Sequence, residues 1–250
     1  MWGAIKNGYR GGWAFMLACP LLFMVPVLFE FIQHVGEMHI GMYDGIAQAK
    51  AVEHHPLRMG LGMLKILALT VPIYWVTRFL AFGHDAEAAR RYDAKAVRLF
   101  AVYVLFQLAM AAVSLYAGSI SGTVMAIEMV LSFIIGALVL IWGTATTLAN
   151  DRLGPLASAK IMGFHALWVA PLSFIAILPL MVPHYGLAIA ALTAKVGPTG
   201  VWAIHIMDSL LVGLLTAIMI AVGYYIARYF ADRAGVSLLP DQGLAGPATP

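Results

Sequence analysis

The stretch "VWAIHIMDSLLVGLLTAIMIAVGYYIARYF", residues 201–230, decides what kind of chain this is. A helix needs about 20 mainly apolar residues to cross a bilayer. This run exceeds that length with Asp208 as its sole acidic residue and Arg228 close to its end. Such a segment has no place on a soluble surface. Working outward from it, five further stretches have the same character: 13–33, 61–82, 99–117, 124–148 and 167–182. Composition agrees, since 62% of the 250 residues are hydrophobic and 11% charged. A soluble domain of this length is about one-quarter charged. The expectation is an all-α, polytopic integral membrane protein of six transmembrane helices, with a membrane domain over 1–233 and a disordered tail over 234–250, "AGVSLLPDQGLAGPATP".

Lysine and arginine set the orientation, because cytoplasmic loops retain them. One set of span ends holds Lys6, Arg10, Arg78, Arg90, Arg91, Lys95, Arg98, Arg152, Lys160, Arg228 and Arg233, and the other holds Lys50, Arg58, Lys65 and Lys195. An even number of spans with this imbalance is expected to place both termini in the cytoplasm. Arg78, near the cytoplasmic end of its span, is expected to reach its head toward water. The net charge of +3 is scattered between spans, so nucleic acid is not an expected partner. The lone cysteine, Cys19, excludes a disulfide within one chain. Apolar character from Trp13 to about Ile32 is long for a cleaved leader, which favours a retained first span.

The fifth span carries Pro171, Pro179 and Pro183 and then a second apolar piece. Residues 183–200 therefore read either as a continued helix or as a re-entrant segment. In the sixth, Ser209, Gly213, Ala217 and Ala221 recur every four residues. On a helix they form a smooth stripe that admits a close neighbour, from the same chain or from a second copy or partner subunit.

The stretch "LANDRLGPLASAKIMGFHALWVAP", residues 148–171, with Asp151, Arg152, Gly154, Ala157, Ser158, Trp168 and Pro171, resembles the YciC-like family of six-span inner-membrane proteins, as does the closing "YYIARYF". The resemblance covers roughly the C-terminal hundred residues. It implies a helical inner-membrane protein of unsettled function and carries no catalytic residues with it.

Ionisable residues collect on the expected outer side. "FEFIQHVGEMHIGMYDG", residues 29–45, supplies Glu30, His34, Glu37 and His39 and opens a histidine-rich segment over 34–60. Glu128 falls in the first turns of span four, His184 at the end of span five, and His205 and Asp208 one turn apart in span six. Asp208 lies about 10 Å into its apolar run at 1.5 Å per residue, where a charge is costly. His205, His34 or Lys65 would offset that cost. Imidazole and carboxylate together suit zinc or iron, yet no HExxH, CxxC or paired Glu-x-x-His motif is present. These residues are candidates for one outer-face metal or haem site, for proton or ion handling, or for a solvated rim.

Three functions stay open on the sequence. A non-catalytic subunit or organising component of a membrane complex fits the lack of nucleotide motifs. A transporter fits the kinked spans, and a metalloprotein or haem protein fits the outer cluster.

Overall fold

The computed structural model describes residues 1–117, 121–194 and 196–240; Lys195 and the tail beyond residue 240 lie outside the described residues. Among the described residues all regular structure is helical. Five helices are long and apolar enough to cross a membrane: Pro20–His39, Pro56–Ala81, Ala94–Leu115, Pro155–Thr193 and Gly197–Arg233. The pair Gly122–Leu138 and Leu140–Thr147, bent by 51°, makes a sixth when taken as one span.

In chain order the helices are α1 (Trp2–Ala18), α2 (Pro20–His39), α3 (Ile46–Ala51), α4 (Pro56–Thr70), α5 (Pro72–Ala81), α6 (Ala86–Arg90), α7 (Ala94–Ala117), α8 (Gly122–Leu138), α9 (Leu140–Thr147), α10 (Pro155–Met162), α11 (Ala166–Thr193) and α12 (Gly197–Arg233). Proline opens α2, α4, α5 and α10. The first residue of a helix has no intrahelical acceptor for its N–H, so a missing donor costs nothing there.

The first apolar run is divided differently from the expectation. Its helix breaks at Cys19, where φ is −129° and ψ 54°, because Pro20 cannot donate back into the preceding turn. Arg90 Nη2 donates to the Ala18 carbonyl at this break, at 3.4 Å. Residues 13–18 therefore belong to α1, and the helix long enough to cross begins at Pro20.

α12 is the spine, and α1 and α2 run along it end to end. A Cβ built on Gly8 would lie 2.7 Å from Val222 Cα, and one on Gly12 would lie 2.9 Å from Ile218 Cα. Only hydrogen fits where two backbones come this close. Further along, Gly213 faces Val27 and Phe23, and Phe31 packs on Trp202. The small-residue stripe of α12 is buried within the chain, with Ser209, Gly213, Ala217 and Ala221 all in the interior.

α11 continues without interruption through Pro171, Pro179 and Pro183 to Thr193, so residues 183–193 extend the helix. At the α8–α9 bend, the Ser158 hydroxyl donates to the Leu138 carbonyl at 2.6 Å, which satisfies a group freed by the turn.

One end of the bundle is basic. Arg78 does not reach water there: its side chain is 5% exposed and donates to the Ala88 and Thr147 carbonyls at 3.1 and 3.2 Å. Lys95 pairs with Asp151 at 3.0 Å across the same end. Asn150 donates to the carbonyls of Ser237, Leu238 and Leu239, tying down residues 237–239 of the expected tail. The opposite end holds the ionisable cluster.

Candidate functional site: a buried acid–imidazole centre

On α2, Glu30, Gln33, His34 and Glu37 recur at spacings of three and four and so share a face. α4 packs antiparallel to that face. Arg58 and Lys65 are seven residues apart, as are Glu37 and Glu30, so both pairs close in one register. Arg58 Nε stands 3.1 Å from Glu37 Oε1, and Lys65 Nζ stands 3.2 and 3.1 Å from the two Glu30 oxygens. Gly36 permits the approach, since a Cβ there would meet Leu61 Cδ1 at 2.2 Å.

α12 supplies His205 and Asp208, and α11 supplies His184. Asp208 bridges two imidazoles: its Oδ2 is 3.1 Å from His34 Nε2 and its Oδ1 is 2.7 Å from His184 Nδ1. The His205 ring stacks on His34 with centroids 4.3 Å apart, and Tyr43 covers both. The turn that folds Tyr43 back runs through Gly41 and Gly45, both at positive φ, which glycine adopts without steric cost. Glu30, His34, Glu37, His205 and Asp208 are between 1% and 7% exposed.

Hydrogen-bond donors decide the chemistry. The Tyr43 hydroxyl donates its one hydrogen to Glu37 Oε2 at 2.7 Å. Burial first, and then the Glu37 carboxylate beside it, push this phenol far above the ordinary tyrosine range. The proton is held. His34 Nδ1, 3.0 Å from the same oxygen, must therefore be the donor in that contact. Its Nε2 also faces acceptors, Asp208 Oδ2 at 3.1 Å and Glu30 Oε1 at 3.5 Å. A positive centre is needed between them, either a second proton on the ring or a metal ion.

Charge counting reaches the same point. Three buried carboxylates, Glu30, Glu37 and Asp208, face two fixed cations, Arg58 and Lys65. One positive charge completes the set, which a second proton on His34 supplies and a divalent ion exceeds by one, and uncompensated buried charge is strongly unfavourable.

The donor set fits a small divalent ion. Glu30, His34 and Asp208 each offer one atom, and the three lie within 4.8 Å of one another. Bonds of about 2.0–2.1 Å in a tetrahedral site put neighbouring ligand atoms about 3.3 Å apart; the two pairs that share His34 Nε2, at 3.1 and 3.5 Å, bracket that value. His205 Nε2, buried beside them, has no hydrogen-bond partner among the described residues. A haem does not fit the same residues. The His34 and His205 rings lie face to face, 21° from parallel, with no space for a porphyrin between them, and both His34 nitrogens are engaged.

Of the residues singled out in the sequence, the structure brings together Glu30, His34, Glu37, His184, His205 and Asp208. His39 stands apart and exposed, because five residues on from His34 the helix has turned about 140° away. Glu128 also lies elsewhere: α8 packs on α7 and α11, and its carboxylate accepts from Ser114 and Ser132. Tyr43, Gln33 and Arg58 joined the site unexpectedly, and Lys65, expected as a counter-charge to Asp208, pairs with Glu30 instead. The paired seven-residue spacings on neighbouring helices were the signal for the two cations.

No protein-family model, curated protein or solved structure matches this chain, so the YciC-like resemblance rests on its quoted residues alone.

Proposed function

We propose that this is a bacterial inner-membrane protein, with its basic end and both termini in the cytoplasm, that binds one transition-metal ion at the outer acid–imidazole centre. The observation that carries the reading is His34: one nitrogen donates to Tyr43 while the other faces two carboxylate oxygens. Imidazole nitrogen and carboxylate oxygen without thiolate point to Zn²⁺ or Fe²⁺. In the metal-free protein a proton takes the ion's place, so metal affinity falls with pH as the imidazoles protonate.

Glu30, His34 and Asp208 bind the ion. Arg58, Gln33 and Tyr43 orient Glu37 beside it, and His184 orients Asp208. Partners of this kind hold ligands in place and tune their basicity. A role as a component of a membrane complex is compatible with this reading, although the α12 stripe that suggested an interface is covered by α1 and α2.

Calorimetric titration of the tag-free, chelator-stripped protein with Zn²⁺ tests the proposal. The expected result is about one ion per chain, with affinity lowered at least about tenfold in His34→Ala and Asp208→Asn and unchanged in His39→Ala. Equal affinity in all four proteins would refute the site.

A further inference from the structure

A second polar feature lies away from the metal centre. Between α5, α7, α8, α9, α11 and α12 is a partly open cavity of about 590 Å³. It reaches from Ser114 and Glu128 toward Tyr224, near the basic end. Its walls are mainly apolar, with Ile73, Met129, Phe133 and Ile177 among them. Pockets that hold drug-sized ligands span about 300–1,000 Å³ and have this same make-up of apolar walls with a few polar groups.

Glu128 is the polar group that asks for a ligand. It is the seventh residue of α8, roughly 10 Å along the helix. The hydroxyls of Ser114 and Ser132 both donate to its Oε1. Its Oε2 has no hydrogen-bond partner, and its carboxylate pairs with no cationic side chain, among the described residues. An ionisable group inside a span faces a partner or a substrate path, and here the described residues supply no counter-charge. Gln107, also on α7, lines the cavity with Glu128.

We infer that this cavity binds a lipophilic amine, its ammonium on Glu128 Oε2 and a single hydrocarbon chain along the apolar walls. The carboxylate sets the sign of the head group, and the surrounding apolar surface requires a body soluble in lipid. The volume suits one chain better than a two-chain phospholipid. A free alkylamine and a single-chain aminolipid share this chemistry.

The test is binding of dodecylamine, dodecanol and a lyso-phosphatidylethanolamine to the full chain in phosphatidylcholine nanodiscs. The wild type is expected to prefer dodecylamine over dodecanol by at least about tenfold, and Glu128→Gln to abolish the preference. Lyso-phosphatidylethanolamine binding as well identifies a membrane aminolipid as the source; binding of dodecylamine alone identifies a free amine. A Cβ on Gly136, in the cavity wall, meets nothing within 4 Å, so Gly136→Leu fills the space with Glu128 left in place. It is expected to weaken both amine and alcohol. Equal amine and alcohol binding in the wild type, a preference that survives Glu128→Gln, or full amine binding in folded Gly136→Leu would each overturn the inference.

Discussion

The Tyr43 hydroxyl has one hydrogen and two buried neighbours, Glu37 and His34, and the direction in which it donates sets the state of the whole centre. Because the folded protein holds that phenol's proton far more tightly than usual, pH acts on it from the alkaline side. An unfolded chain loses it near pH 10. A folded-state value raised above the unfolded one leaves stability intact below about pH 10 and erodes it as pH rises beyond. Tyr43→Phe is expected to cost about 1–3 kcal/mol near neutrality, since Glu37 Oε2 loses a buried donor, and to make the alkaline loss shallower. Thermal melts at about pH 7 and 11 read both effects; parallel losses in wild type and variant would remove Tyr43 from the network. At this scale the sequence was partly legible. Histidines and carboxylates at span ends draw attention because they are costly there, whereas Tyr43 at an interface looks like any belt aromatic. His39, five residues from His34, shows the limit of proximity in sequence as a guide to proximity in space.

Helix pairing explains why the residues meet. α1 presents Gly8 and Gly12 to Val222 and Ile218, one small-residue repeat against the backbone of the spine. Gly12→Val forces α1 off α12, at a cost of about 1–3 kcal/mol for overpacking. The expected outcome is a lower melting temperature with the Zn²⁺ stoichiometry retained, because the α2–α12 contact lies farther along. An unchanged melting temperature would mean that α1 does not pack as described. The apolar runs were readable from composition alone, and so was the stripe on α12. The partner of that stripe was not. Nothing in the α12 residues says whether a smooth face meets its own chain or another, and the glycines that answer it sit ahead of the first apolar run. The helix break at Cys19 was hidden for a related reason: hydropathy continues across Pro20 although the hydrogen-bond ladder does not.

For the whole molecule, the acid–imidazole centre exists only when the bundle is assembled. His34 and Asp208 are 174 residues apart, and α4 and α11 must both be docked before the charges balance. No local motif marks it, which is why its ligands could be nominated from sequence one by one but not as a set. The most direct test is zinc-edge X-ray absorption on the protein loaded with about one equivalent of Zn²⁺. Nitrogen and oxygen neighbours are expected at about 2.0–2.1 Å, with imidazole scattering that disappears in His34→Ala and no sulfur near 2.3 Å. A water-only shell, or a spectrum indifferent to His34→Ala, would contradict the proposed metal site.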